Sequence, residues 1–146
     1  MTDFKCVFLD TAPLVYLLDG DTPYTAAMEH IVTYLHENDV KMATSVITAA
    51  EYLVVPYRQD KMDQARSFFS FVADAEIRIL TIDVGIAEQS AKLRAQYPGV
   101  KGMDSLQLAS ASYADCDVFL TNDKRLCQCK EVNCVLIDDF RRLLEE

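Results

Sequence analysis

The chain has 146 residues, of which 51% are hydrophobic and 25% charged, and its formal net charge is −9 at pH 7. This length fits one domain, residues 1–146, and the composition excludes an intrinsically disordered chain. The negative charge excludes a protein that binds nucleic acid unselectively through an overall positive surface. A phosphate-bearing ligand would need a local basic patch or a metal ion held by acidic groups.

The first residues and the cysteines indicate a reducing compartment. Residues 1–5 are too short and polar for a signal peptide, and no apolar run approaches the ~20 residues of a membrane span, so we expect a cytoplasmic protein without a membrane partner. The five cysteines are an odd number, which favours free thiols. Cys127, Cys129 and Cys134 could supply three zinc ligands, but the usual paired spacing is absent and no histidine is near. Side-chain packing is therefore the favoured interpretation.

Along the chain, apolar patterning predicts short strands that alternate with helices. The predicted strands are residues 5–9, 40–43, 77–80, 118–120 and 134–137. The predicted helices are residues 13–18, 24–36, 46–57, 62–73, 84–96 and 104–114, with a last helix from Asp138. Nearly continuous apolar strands between helices indicate an α/β fold, a three-layer α/β/α sandwich with a central, mainly parallel sheet. Ligands of such sheets bind beyond the carboxyl ends of the strands.

Two acids lie at the carboxyl ends of predicted strands. Asp10 ends the apolar run VFLD and precedes Thr11, and Asp123 ends VFLTND, two residues after Thr121. Each has a simple structural explanation. Aspartate is a common helix N-cap, which suits Asp10 because Pro13 falls in the first turn of the next helix. The pair Asn122-Asp123 is typical of a turn.

Two further acids lie in apolar helices. Glu51 lies in VITAAEYLVV, with no Lys or Arg within four positions. An ionised carboxylate that is surrounded by apolar side chains is costly in free energy unless a charge or hydrogen bonds compensate it. The helix could also reach the surface at this point. Asp104 begins DSLQLASASYA, where we expect it to cap the helix. The small residues that follow favour close packing, which would place Asp104 in an interior cleft.

A parallel sheet would bring these four acids to the same edge. Carboxylates that are brought together repel one another, and they remain ionised only if a cation compensates them. Oxygen ligands favour hard cations, so Mg²⁺ or Mn²⁺ is the expected cofactor. Such ions clamp phosphate oxygens and activate water, and the predicted chemistry is therefore phosphodiester hydrolysis.

The sequence resembles the PIN-domain ribonucleases, especially the VapC-type toxins of prokaryotic toxin–antitoxin pairs. The matching segments, in the family's order, are FLDTAPLVYLLD, TSVITAAEYLVVPYR, LRAQYPGVKGMDSLQLASA and VFLTNDKRL. The resemblance implies that Asp10 and Asp104 are the principal metal ligands and that Glu51 and Asp123 complete the catalytic pocket. It also implies that two hydroxyl groups orient carboxylates or water there, those of Thr11 and Thr121.

The resemblance further implies a metal-dependent endoribonuclease that cuts single-stranded RNA and leaves a 5′-phosphate. It implies a homodimer and inhibition by a small antitoxin encoded next door. All four acids are present, so the motifs give no sign of an inactive enzyme. The alternative is a non-catalytic or orphan PIN domain that acts as a protein-binding module. Candidate phosphate contacts are Arg58, Lys101, Lys124 and Arg125.

Two other α/β classes also place an aspartate after the first strand. A haloacid dehalogenase-type phosphatase needs a second Asp two residues later, where this chain has Ala12. A receiver domain needs an acidic pair at Asp10 and an Asp after a central strand, and only Asp83 meets the second requirement. Both classes are therefore disfavoured.

Overall fold

A computed structural model describes residues 3–145 of the chain, so residues 1, 2 and 146 of the predicted domain lie outside the described part. Its centre is a five-stranded sheet in the order β3-β2-β1-β4-β5, in which all neighbouring strands are parallel. The strands are β1 Cys6–Leu9, β2 Lys41–Ser45, β3 Ile77–Leu80, β4 Val118–Thr121 and β5 Cys134–Leu136. The predicted parallel α/β architecture is confirmed.

Helices connect the strands on both sides of this sheet. The α-helices are α1 Thr11–Asp19, α2 Thr25–Glu37, α3 Val46–Tyr52, α4 Val54–Arg58, α5 Met62–Asp74, α6 Val84–Gln96, α7 Gly102–Tyr113 and α8 Ile137–Leu144. A short 3₁₀ helix, Lys124–Gln128, follows β4. Within residues 3–145, none of these helices is both long enough and apolar enough to span a bilayer.

Each face of the sheet has its own hydrophobic core, as alternation along a strand requires. On one face, Val7 and Leu9 of β1 pack with residues of α1, α2, α5 and α8. On the other face, Phe8 packs with residues of α6 and α7, and its ring stacks on that of Phe119 at 5.3 Å between centroids. The two cores bury the carboxyl-terminal residues of β1 and all of β4, and the sheet therefore holds the ends of these strands rigidly.

The predicted helix 46–57 is wrong in one respect, because the structure divides it into α3 and α4 at Leu53. Pro56 explains the break. It has no N–H to donate to the carbonyl of Tyr52, and its ring disfavours a continuous helix at this point. Val54 and Val55, which follow the break, are exposed on α4.

The two predicted helix caps have different outcomes. Asp10 is the N-cap of α1 and accepts a hydrogen bond from the backbone N–H of Thr11. The expectation that Asp104 caps α7 is wrong, because the helix begins two residues earlier at Gly102 and Lys101 occupies the cap position. Asp104 lies instead in the first turn, where the partial positive charge of the helix N-terminus favours an acid.

Candidate active site

Asp10 lies where β1 ends and is only 8% exposed. Its backbone N–H donates to the carbonyl of Leu120 at 3.0 Å, which extends the β1–β4 pairing to the acid itself. The Thr121 hydroxyl donates to Asp10 Oδ2 at 2.8 Å, and the Thr11 N–H donates to Oδ1 at 2.9 Å. Both oxygens therefore have a donor, and the carboxylate is fixed in position.

All four predicted acids line one open pocket of about 430 Å³ at the carboxyl ends of β1 and β4. The other lining residues are Thr11, Ala12, Val15, Tyr16, Thr121 and Asn122. The sheet supplies Asp10 and places Asp123 two residues beyond β4, while α3 supplies Glu51 and α7 supplies Asp104. The structure thus brings the four acids together with Thr11 and Thr121.

Glu51 differs from its predicted environment. The sequence favoured a carboxylate surrounded by apolar side chains and left open a helix that reaches the surface. The Glu51 side chain is exposed, which agrees with the second interpretation. Its Oε1 accepts a hydrogen bond from the Thr11 hydroxyl at 2.6 Å. Thr11 therefore links the two acids, because its N–H donates to the Asp10 carboxylate and its hydroxyl donates to the Glu51 carboxylate.

Asp123 is paired with a cation. Arg125 donates through Nε to Asp123 Oδ1 and through Nη2 to Oδ2, at 3.0 and 2.7 Å. The Arg125 backbone N–H also donates to Oδ1, so Asp123 caps the 3₁₀ helix in the way that its turn position suggested. The Asp123 N–H donates in turn to the Thr121 hydroxyl at 3.0 Å, which links this acid to Asp10.

The charges in the pocket are incompletely compensated. Burial raises the pKa of Asp10 to about 6, with the negative charges of Asp104 and Glu51 adding to the effect. Burial also raises the pKa of Asp104, and Asp123 contributes further. By contrast, the hydrogen bond from Arg125 lowers the pKa of Asp123. Negative charge is therefore in excess around Asp10 and Asp104.

Beneath the pocket lies a buried hydrogen-bond network centred on Gln107 of α7. Gln107 Nε2 donates to Thr48 Oγ1 at 2.8 Å and to Thr11 Oγ1 at 3.2 Å, while Ser45 donates to Gln107 Oε1. Thr44 completes the network with a 2.8 Å bond to Thr48. The sequence did not lead us to Gln107 as a site residue. The feature that could have indicated it is an amide side chain among the apolar and small residues of SLQLASA.

The donor set suits a hard divalent cation. The described residues that line the pocket offer carboxylate, hydroxyl and amide oxygens, with no His or Cys among them. Within residues 3–145, however, no three His, Cys, Asp or Glu side chains are grouped closely enough to hold an ion as they stand. Glu51 is exposed and Asp104 half-buried, so their carboxylates have room to turn toward Asp10. The residues fit such an ion in chemistry, and binding requires side-chain movement.

The remaining predicted contacts lie outside the pocket lining. Arg58, Lys101 and Lys124 are exposed and do not line it. The three possible zinc ligands differ in burial, because Cys127 is exposed, Cys129 is buried and Cys134 is half-buried. In the described part of the chain they are not grouped so that they could hold a metal ion.

Comparison with known proteins places this geometry in a family. Residues 7–132 match the family model described as the PIN domain. Among curated protein sequences, no match to the chain is found. The structure is similar to VapBC2 from Rickettsia felis, solved with a promoter DNA fragment, at a TM-score of 0.75 and 17% identity over 90% of this chain and 98% of that one.

Two further solved structures are similar over most of their length. A toxin–antitoxin complex from Klebsiella pneumoniae matches at a TM-score of 0.65 and 25% identity over 86% of this chain and 94% of that one. The sarcin-ricin-loop-cleaving toxin VapC20 of Mycobacterium tuberculosis matches at 0.67 and 14% identity, over 87% and 98% of the two chains. The chain therefore belongs to the PIN domain family, and its fold is that of the VapC-type members.

Proposed function

We propose that this protein is a divalent-metal-dependent endoribonuclease that hydrolyses phosphodiester bonds in single-stranded RNA. The observation that carries the proposal is the presence of Asp10, Glu51, Asp104 and Asp123 around one open pocket in a PIN domain. Excess negative charge around Asp10 and Asp104 supports a cation as the missing partner. Among the described residues, none that lines this pocket is a cation, and the guanidinium of Arg125 is bound to Asp123.

Asp10 and Asp104 would be the principal ligands of Mg²⁺ or Mn²⁺, with Glu51 and Asp123 completing the site. When bound, such an ion supplies Lewis-acid chemistry, polarising a phosphoryl oxygen and lowering the pKa of a water molecule. The protein contributes orientation. Thr121 and the Thr11 N–H hold the two oxygens of Asp10, and the Thr11 hydroxyl holds Glu51.

Access to the pocket favours a flexible, single-stranded substrate. The pocket is open to solvent and lies beyond the strand ends, where an extended strand can lie across it. Tyr16 lines the pocket, and its hydroxyl accepts a hydrogen bond from Asn122 Nδ2 at 3.1 Å. This bond and the stacking of the ring on Tyr24, at 5.0 Å between centroids, fix the ring in the pocket lining, where an unpaired base could stack on its other face.

We further propose that the protein acts as the toxin of a type II toxin–antitoxin pair, as a homodimer inhibited by an antitoxin. Support comes from the similar structures, several of which are toxin–antitoxin complexes. A short neighbouring reading frame with a DNA-binding N-terminus and an amphipathic tail would agree with this role, and its absence would favour an orphan nuclease.

One arrangement favours the alternative, a PIN domain that binds protein without cutting RNA. Arg125 donates to both oxygens of Asp123, and the other three acids are not grouped for an ion within the described residues. If this arrangement persisted in the presence of Mg²⁺ or Mn²⁺, the pocket would bind neither the ion nor RNA.

The test uses purified protein with single-stranded and duplex RNAs, in Mg²⁺, in Mn²⁺ and in chelator. We expect cleavage of single strands that requires the ion and falls in Asp10→Asn and Asp104→Asn by more than about 100-fold, because losing groups that merely support metal ligands already costs about 10- to 100-fold. The matched control is Asp21→Asn, which changes an exposed aspartate outside the pocket. Unimpaired cleavage by Asp10→Asn and Asp104→Asn, or no cleavage by the unmodified protein, would refute the proposal.

A further inference from the structure

A pair of thiols lies at the edge of the sheet opposite the acidic pocket. Cys6 begins β1, and Cys116 lies two residues before β4. Their sulfur atoms are 2.8 Å apart, although 110 residues separate them in the chain. The parallel register explains the contact, because it places Val7 opposite Val118 and so brings the preceding residues of both segments together.

Backbone hydrogen bonds hold both cysteines in place. The Asp117 N–H donates to the Cys6 carbonyl at 2.8 Å, and the Cys116 N–H donates to the carbonyl of Ala111 at 3.0 Å. The Asp117 carboxylate also accepts from the N–H groups of Lys5 and Cys6, at 2.6 and 2.9 Å. The two sulfur atoms are therefore presented to each other by ordered backbone on both sides.

Small molecules can reach one of the two thiols. Both side chains are half-buried, but Cys6 lines a pocket of about 660 Å³ together with the cations Lys41 and Arg78. The lining also includes His36, Asp39 and Glu76. The hydrogen bond between the two thiols lowers the pKa of Cys6 and raises the pKa of Cys116. Because Cys6 lines this pocket and Cys116 does not, Cys6 is the thiol that a small oxidant in the pocket meets first, and Cys116 is the second thiol.

We propose that Cys6 and Cys116 form a reversible intramolecular disulfide when the protein meets a peroxide or a low-molecular-weight disulfide. With hydrogen peroxide, the Cys6 thiolate attacks one oxygen, the O–O bond breaks, and Cys6 sulfenic acid and one water form after proton uptake. The Cys116 sulfur then attacks the sulfenic sulfur, the S–O bond breaks, and the hydroxyl leaves with the thiol proton as a second water. With glutathione disulfide, the Cys6 thiolate attacks one sulfur and releases one glutathione thiolate, and the Cys116 thiolate then attacks the Cys6 sulfur and releases the second. By either route the two thiols lose two electrons and two protons in total.

The location of the pair predicts a stabilising effect without a change in the acidic pocket. The bond would join the first strand to the residue that leads into β4, closing a loop of more than 100 residues. Cross-links over long loops restrict the unfolded chain most, so the midpoint of thermal unfolding should rise by roughly 5–15 °C on oxidation. Asp10 lies four residues from Cys6 at the other end of β1, and cleavage of RNA should change less than about twofold, because the pairing that positions Asp10 is already formed.

The test is peptide mapping of the folded protein after treatment with hydrogen peroxide or glutathione disulfide. Trypsin separates the cysteines, because Cys6 falls in peptide 6–41, Cys116 in 102–124, Cys127 and Cys129 in 126–130, and Cys134 in 131–141. We expect peptide 6–41 linked to 102–124, two hydrogens lighter than the sum of the reduced peptides and separated again by dithiothreitol.

Matched variants identify the pair. Cys134→Ser should keep the link, whereas Cys116→Ser should lose it and leave Cys6 glutathionylated. The result from the unmodified protein is decisive even if a variant folds poorly. Recovery of Cys6 and Cys116 as separate alkylated peptides, or linkage of either one to peptide 126–130 or 131–141, would overturn the proposal.

Discussion

Arg125 donates to both carboxylate oxygens of Asp123, at 3.0 and 2.7 Å, and so competes with any cation for one of the four acids in the pocket. Removing this guanidinium should therefore increase metal affinity. We expect Arg125→Gln to lower the apparent Kd for Mn²⁺ by about two- to fivefold, the range that an exposed ion pair supports. Isothermal titration measures the change.

The control for this prediction is Lys124→Gln, which removes an adjacent exposed positive charge that makes no bond to Asp123. An equal change in both variants would show that the general loss of positive charge, and not release of Asp123, is responsible.

The buried carboxylate of Asp10 should destabilise the metal-free protein at neutral pH. Folding raises the pKa of Asp10 from 3.8 to about 6. Between these two pH values, Asp10 is therefore protonated in the folded state and ionised in the unfolded state. The free energy of unfolding should therefore fall as pH rises from about 4 to about 6. Asp10→Asn should remove this dependence and stabilise the protein at pH 7 by up to about 3 kcal/mol.

Urea unfolding in chelator from pH 4 to 8 measures this difference, with Asp21→Asn as the control. Adding Mn²⁺ should stabilise the unmodified protein and leave Asp10→Asn nearly unchanged. A constant difference between the two proteins across this pH range would argue against an ionised, uncompensated Asp10.

Thr121 should influence the acid limb of the pH–rate profile, which is the decrease in RNA cleavage at low pH. Its hydroxyl donates to Asp10 Oδ2, and this hydrogen bond lowers the pKa of Asp10. Thr121→Val removes the donor at nearly constant volume. The acid limb should then move to higher pH, and activity at pH 7 should fall by about 10- to 100-fold.

Thr121→Ser keeps the hydroxyl and serves as the control for the pH–rate profile of RNA cleavage. If Thr121→Val lowers the rate equally at every pH, the hydroxyl acts on something other than the ionisation of Asp10.

Gln107 should be required for stability as well as for the arrangement of the site. Gln107→Leu would leave the hydroxyls of Ser45 and Thr48 without their amide partner in a buried environment. Unsatisfied buried groups of this kind should lower the free energy of unfolding by about 2–4 kcal/mol. The control is Ser110→Ala on the same helix, since the Ser110 hydroxyl donates to the carbonyl of Leu106 and has no other side-chain hydrogen bond among residues 3–145. Chemical denaturation and Mn²⁺ titration of both variants distinguish the effect of disrupting the Gln107 network from the effect of removing a buried hydroxyl elsewhere on α7.

The parts of the site that could be predicted from the sequence are those that local pattern determines. Asp10 follows an apolar strand and Asp123 follows another, and the rule for parallel sheets is enough to bring them to one edge. The exposure of Glu51 was one of two environments that the sequence left open, because the local pattern of α3 does not decide whether the helix reaches the surface there.

Contacts between distant segments explain the other omissions. Gln107 meets Ser45 across 62 residues, and Cys6 meets Cys116 across 110. Such pairs depend on strand order and register, which a single sequence specifies only through the whole fold. The start of α7 was misplaced for a local reason, since the helix extends back to Gly102 without a capping side chain.

The strand order also sets when the pocket can form during synthesis. β1, β2 and β3 are adjacent in the sheet and leave the ribosome first, but Asp10 receives its Thr121 hydrogen bond only when β4 pairs with the open side of β1. Asp123 follows two residues later. A nascent chain therefore carries an incomplete pocket until Thr121 and Asp123 have been translated and β4 has paired with β1.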